Sequence, residues 1–196
     1  MLKEIGLVLL CYLIGSIPFS YIFPRLFTNV DVRSKGSGNV GATNVLRTAG
    51  IKAAILAFAG DLAKGAAAAW IGTAAGGGWF LIVCCMAAVI GHCYPVFLKF
   101  KGGKAVSSAG GMVLFLMPKV GIALLITFAA IVLISRYVSL GSVTIAIFLP
   151  LTAMLAAQPP NYVILCWLLA ALVVYRHREN IIRLRNGTEA RFRDPV

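Results

Sequence analysis

Val83-Cys84-Cys85-Met86-Ala87-Ala88-Val89-Ile90 is an unbroken apolar run, and its order decides which kind of structure carries it. Only helices and closed barrels satisfy every backbone N–H and C=O inside hydrocarbon. A barrel strand alternates apolar and polar side chains with a period of two. This run does not alternate, so it reads as helix. Further apolar stretches lie at 5–24, 53–74, 105–117, 120–134, 141–157 and 161–175, with the quoted run inside 79–98. Composition agrees. Of 196 residues 60% are hydrophobic and 12% charged, with a mean hydropathy of +0.92. A soluble domain is about half apolar and a quarter charged. Too little charge remains here to coat a globule in water, so lipid must be the solvent for much of the surface. The expectation is one integral membrane domain over residues 1–196.

A span needs about 20 residues to cross roughly 30 Å of hydrocarbon. The stretches 5–24, 53–74 and 79–98 are long enough; the other four are short. Segments 105–117 and 120–134 read either as two helices or as one kinked at Pro118-Lys119, and charge decides between them. With seven spans, connections 25–52, 99–104 and 135–140 and the tail 176–196 share one side. They hold fifteen of the 18 Lys and Arg, from Arg25 to Arg193. Six spans would separate Arg136 and the tail from the rest. The cation-rich side is cytoplasmic, which gives an all-α, seven-transmembrane-helix bundle with its N-terminus outside and its C-terminus in the cytoplasm.

The net charge of +12 therefore reads as topology and as affinity for anionic lipid or substrates, with no nucleic acid implied. No Ala-x-Ala site precedes Pro24, so the first helix reads as retained. Cys11, Cys84, Cys85, Cys93 and Cys166 lie in or beside apolar runs without a CxxC pair, and read as packing residues. Within the second span, Asp61 and Lys64 stand three apart on one helix face. They read as a structural pair that neutralises itself, with a proton or substrate path as the competing reading.

Three polar segments carry the chemistry. In Ser34–Arg47 the glycines Gly36, Gly38 and Gly41 permit tight turns that aim backbone N–H groups at an anion. Ser37, Asn39, Thr43 and Asn44 add neutral donors there, and Arg47 adds a planar fork suited to phosphate. The glycines spell GxGxxG, but no strand precedes them, and Ala42 stands where a Walker lysine belongs. In the second segment Gly102-Gly103-Lys104 opens the next apolar stretch. N–H groups at a helix start favour an anion, and Lys104 adds a point charge. Nearby, His92 reads as a packing residue, because no second His or carboxylate accompanies it at metal spacing. In the third, Arg176-His177-Arg178-Glu179-Asn180, a continued helix would put His177 and Asn180 on one face, one turn apart. A histidine exchanges or donates a proton near neutral pH and an amide orients a hydroxyl. Glu179, among arginines, reads as a tie for the tail, and Ser142 near the same rim as one more donor. The expectation is that these segments meet at one cytosolic site. No metal ligand set is read from them.

The strings GSGNVGATNVLR (36–47), GHCYPVFLKFKGGKAV (91–106) and HREN (177–180) resemble, in order, the three signature motifs of the bacterial PlsY-type acyl-phosphate:glycerol-3-phosphate acyltransferases. The similarity runs over nearly the whole chain. It implies transfer of a fatty acyl group from acyl phosphate to the 1-hydroxyl of glycerol 3-phosphate. The products would be lysophosphatidic acid and phosphate, at the first step of phospholipid synthesis, in a bacterial inner membrane with the active site facing the cytoplasm. The resemblance further implies essential roles for Ser37 and Arg47, glycerol 3-phosphate binding by Gly102 and Gly103, catalysis by His177 and Asn180, and a structural Glu179. A monomer without cofactors, working beside membrane lipid, is expected. Acyl phosphate is a mixed anhydride, already activated, so no covalent nucleophile is required.

Rival classes fit less well. The acyltransferase pattern of His with Asp five residues on is absent, since Phe97 follows His92 and Ile182 follows His177 at that spacing. A CDP-alcohol phosphotransferase needs several clustered aspartates, and Asp31, Asp61 and Asp194 are scattered. A transporter built on Asp61 and Lys64 would carry internal repeats or broken helices; no convincing repeat is found. A purely structural membrane subunit accounts for the spans but not for the loops.

Overall fold

Pro18 has no N–H to continue a helical ladder, and there the first apolar segment breaks. In the computed structural model, which describes residues 2–192, α1 (Leu2–Ser16) stops before it and α2 (Phe19–Thr28) starts after it. Arg193 and Asp194, named above, lie outside the described residues. Together α1 and α2 form an apolar stretch of 27 residues. Asn29 ends α2 in the left-handed region (φ 53°), its N–H returning to the Arg25 carbonyl. Next, α3 (Ala42–Ala74) is interrupted at Gly50, whose φ of 84° suits a residue without Cβ. Then come α4 (Gly78–Cys93), a 3-10 turn (Val96–Leu98), α5 (Val106–Leu116) and α6 (Pro118–Ser135). Finally α7 (Val138–Leu155), α8 (Pro160–Arg176) and α9 (Arg178–Arg185) complete the chain. No strand occurs among the described residues.

Five helical stretches are long and apolar enough to cross a membrane, or six if α8 and α9, bent by 58°, count as one. The segment expected at 105–117 is helical but short. At 1.5 Å per residue the 11 residues of α5 rise about 16 Å, roughly half the hydrocarbon thickness. It is also separate from α6: Met117 leaves helical geometry (φ −140°, ψ 67°) and Pro118 opens the next helix. Lipid as solvent is visible on the surface, where Ile134 is 86% and Leu155 89% exposed. Trp70 and Trp79 are exposed on either side of the α3–α4 turn, as expected of aromatic rings at a membrane interface.

The chain packs as two compact units, one ending at Phe115 and the other starting at Leu116. In the first unit, small residues let helices touch through their backbones. A Cβ at Gly15 would overlap the Ala88 main chain, and one at Gly91 would overlap the Tyr12 carbonyl, which seats α1 on α4. Gly65 against Ser108 and Gly111 against Leu62 seat α5 on α3 in the same way. In the second unit, Gly141 of α7 lies against the Phe128 ring of α6, while α7 and α8 bury Leu149, Ala153, Leu165 and Leu169. All five cysteines are buried, and none of them forms a disulfide.

Candidate active site

Asn44, in the first turn of α3, is 2% exposed and organises the loop before it. Its Nδ2 donates to the carbonyls of Val32 (2.9 Å), Lys35 (3.1 Å) and Asn39 (3.1 Å), and its Oδ1 accepts the Ser37 N–H (3.0 Å). One amide thus closes residues 32–39 into a ring, with Gly36 (φ 60°) and Gly38 (φ 68°) making the left-handed turns. Val32, Val45, Ala53 and Ala57 form the apolar seat beneath. Arg33 (2.7 Å) and Arg25 (3.0 Å) both hold Asp31. The Arg33 hydrogen bonds keep the Asp31 carboxyl far below the usual carboxylate range.

Two expectations change here. Asn44, expected as a donor to substrate, spends its amide on the loop. The segment 34–47 is not all loop, because Ala42–Arg47 already belong to α3. The positive end of that helix dipole therefore faces Gly41 and Thr43, which favours an anion. Ser37 is exposed, while Asn39, Gly41, Thr43 and Arg47 are half-buried.

The second segment lies along the end of α4. Gly102 N–H donates to the Cys93 carbonyl and Gly103 N–H to the His92 carbonyl, each at 3.1 Å. The expected N–H donors at a helix start are therefore already committed, and α5 begins only at Val106, after Ala105 at φ 64°. The glycines have another reason to be there. A Cβ on Gly102 would strike the His92 carbonyl and Pro95, and one on Gly103 the His92 ring and the Val40 carbonyl. That closeness joins the second motif to the first. Lys104 follows, half-buried.

Beneath Gly103 is a buried polar network. His92 Nδ1 lies 3.1 Å from Ser108 Oγ and 3.5 Å from Asp61 Oδ1. Lys64 Nζ lies 2.7 Å from the same Asp61 oxygen and donates to the Ile17 carbonyl (3.0 Å), while Ser20 Oγ donates to Asp61 Oδ2 (3.0 Å). Both charges are 4% exposed or less. Such a pair is tolerable in a membrane because each charge is neutralised and hydrogen-bonded, which favours the structural reading over a transport path. His92 is buried, as expected of a packing residue, and also lies beside the ion pair. A small open cleft touches Val40, Asp61, Lys64, His92, Gly102 and Gly103.

The third motif sits in the second unit, at the bend between α8 and α9. His177 caps α8 with φ −98° and ψ 5°, so the chain turns a corner there and the helix does not continue unbroken through Asn180. His177 Nδ1 lies 2.8 Å from the Val173 carbonyl. A carbonyl can only accept, so Nδ1 carries the hydrogen, and in the neutral form of the ring Nε2 is the accepting nitrogen. His177 and Asn180 are both buried. Asn180 Nδ2 donates to Glu189 Oε1 at 2.6 Å, and Arg183 Nε to Glu189 Oε2 at 2.7 Å.

Sequence reasoning gave the tail-tying role to Glu179, whose side chain is 73% exposed and 3.7 Å from Arg178. The carboxylate that ties the tail is Glu189. Its signal was the Asn186-Gly187 turn: Gly187 is left-handed (φ 69°) and Thr188 N–H returns to the Arg183 carbonyl (2.9 Å). Ser142 is buried in α7, and its hydroxyl, expected as one more donor, is spent on the Val138 carbonyl (2.9 Å).

Residues 5–187 match the family described as glycerol-3-phosphate acyltransferase. A protein of that name from Syntrophomonas wolfei is 58% identical over 98% of this chain and 99% of its own length. Another, from Aquifex aeolicus, is 44% identical over 97% of this chain and 100% of its own. The crystal structure of PlsY (YgiH), an integral membrane glycerol 3-phosphate acyltransferase in its glycerol 3-phosphate form, superposes with a TM-score of 0.92 at 43% identity. That match covers 96% of this chain and 95% of PlsY. The lysophosphatidic acid form gives 0.90 at 41% identity.

Proposed function

The chain belongs to the glycerol-3-phosphate acyltransferase family, and from that premise we propose that its acyl donor is acyl phosphate. The acyl group passes to the 1-hydroxyl of glycerol 3-phosphate and yields lysophosphatidic acid and inorganic phosphate, at the first step of phospholipid synthesis. The observation that carries this reading is the 2.8 Å contact between His177 Nδ1 and the Val173 carbonyl. It leaves the ring as a proton acceptor at Nε2, which suits activation of a hydroxyl.

The hydroxyl oxygen attacks the acyl carbonyl carbon, oriented by Asn180. Its proton goes to His177 Nε2, the new ester C–O bond forms, and the tetrahedral oxyanion collapses. The bond from carbonyl carbon to phosphate oxygen breaks, and phosphate leaves with the proton returned from His177. The Ser37 hydroxyl and Asn39 stabilise the oxyanion. Gly36, Gly38 and Gly41 before α3, with Thr43 and Arg47 in its first turns, hold phosphate. The shape set by Gly102 and Gly103, with Lys104, holds glycerol 3-phosphate. Holding two phosphate-bearing substrates in line despite their repulsion is the main source of rate.

The enzyme works as a monomer in the bacterial inner membrane. It has seven membrane helices, an outer N-terminus and an active site facing the cytoplasm, a topology supported by the cation asymmetry. The acyl chain lies among the helices beside lipid. The test is turnover by purified protein in detergent with EDTA, acyl phosphate and glycerol 3-phosphate, with acyl-CoA and acyl carrier protein tried separately as donors. Phosphate release should require glycerol 3-phosphate. Release independent of it, or equal turnover with acyl-CoA, overturns the reading.

A further inference from the structure

We propose that Glu189 is a positioning residue whose carboxylate sets which way the Asn180 amide faces. An ionised carboxylate only accepts hydrogen bonds. At 2.6 Å from Glu189 Oε1, Asn180 must therefore offer its NH2, since a flipped amide would press one acceptor oxygen on another. The amide carbonyl is thereby turned away from the tail. Glycerol 3-phosphate carries a second hydroxyl at C2, and a carbonyl there accepts its hydrogen bond, which places the 1-hydroxyl with its own hydrogen left for His177 Nε2. This rests on the reading above that Asn180 orients the attacking hydroxyl.

Three features make Glu189 suited to the task. Its side chain is 9% exposed, and its second oxygen is fixed by Arg183 Nε at 2.7 Å. Burial by itself raises the Glu189 carboxyl, but the hydrogen bonds from Asn180 and Arg183 help bring it below the usual range, so it is ionised at neutral pH. The tail that delivers it is pinned on both sides. Thr188 N–H bonds the Arg183 carbonyl (2.9 Å) and Phe192 N–H bonds the Arg136 carbonyl (2.7 Å), while Arg191 Nε reaches the Tyr137 hydroxyl (3.4 Å). The carboxylate approaches Asn180 from one direction and cannot swing with a loose tail.

The experiment compares Glu189→Gln, Glu189→Asp and Asn180→Ala, reading kcat, the KM of each substrate and the melting temperature in detergent. Glutamine can face Asn180 with either end and no longer dictates the flip. It should lower kcat by about 10²-fold at unchanged KM for both substrates, with the folded protein recovered in normal yield. A purely structural Glu189 would instead lose activity only in step with melting temperature. Should the glutamine variant not fold, Glu189→Asp carries the test, because its carboxylate is drawn back by one methylene. A fall in kcat at unchanged KM then supports the proposal, and wild-type kcat overturns it. Full turnover by Asn180→Ala would sink the role of Asn180 itself. An inactive Asn180→Ala beside fully active Glu189 variants would sink this inference alone.

Discussion

The loop ahead of α3 and the corner after α8 both hold motif residues, and they use their polar atoms in opposite ways. In the first, side chains are consumed to shape backbone. Asn44 ties down three carbonyls and an N–H, and the His92 ring lies against Gly103. At the corner, the rest of the protein is consumed to aim side chains. The Val173 carbonyl sets His177, and Glu189 holds Asn180. The difference matches the two tasks proposed above: a cradle for an anion needs main-chain shape, whereas a step with proton movement needs oriented side-chain atoms. Damage to the first region should appear in folding and KM, and damage to the second in kcat.

The sharpest way to break this contrast is His177→Ala. It should lower kcat by about 10³-fold with melting temperature and KM little changed; a large KM effect at normal kcat would erase the distinction. Next, Asp61→Ala leaves Lys64 buried without its counter-charge and should destabilise the protein by about 3–5 kcal/mol, read by thermal unfolding in detergent. Pairing Asp61→Asn with Lys64→Met should recover much of that loss, and a single variant as stable as wild type would sink the ion-pair reading.

Smaller effects sharpen the loop side of the comparison. Asn44→Ala should cost about 1–3 kcal/mol for buried groups left unpaired and open a new tryptic cut at Lys35; a loop as protease-resistant as before would show the ring is held by something else. Gly103→Ala should force about 1–3 kcal/mol of strain between α4 and Val40, seen as about a tenfold rise in the glycerol 3-phosphate KM at near-normal kcat. The mildest effect concerns pH. The Glu189 carboxyl is lower folded than its ordinary 4.5, so its stabilising contribution is complete above that value and fades as pH falls below it. Glu189→Gln should flatten the acid side of the melting-temperature profile, and an unchanged profile would show that the Asn180 and Arg183 contacts contribute nothing.

How much of this was legible in advance differs by kind of residue. The helical nature of 79–98 was plain from its missing alternation, and the partnership of Asp61 with Lys64 followed from their spacing on one helix. The Pro18 break and the Gly50 kink were not read, although both residue types mark such places. That α5 would have only 11 residues was not legible in its apolar run. The candidate site residues were chosen by type, and Asn44, Ser142, Gly102 and Gly103 were each given donors that the fold uses internally.

The sequence by itself determined that this chain crosses a membrane in helices and where its three polar motifs stand. Hydropathy and charge add up over local windows and need no knowledge of what lies opposite. Tertiary structure alone decided which polar atoms shape the loops and which are aimed outward. A hydrogen bond is assigned by distance in space, so Glu189, brought back by the turn at Gly187, holds Asn180, while Glu179, its neighbour in the chain, faces outward.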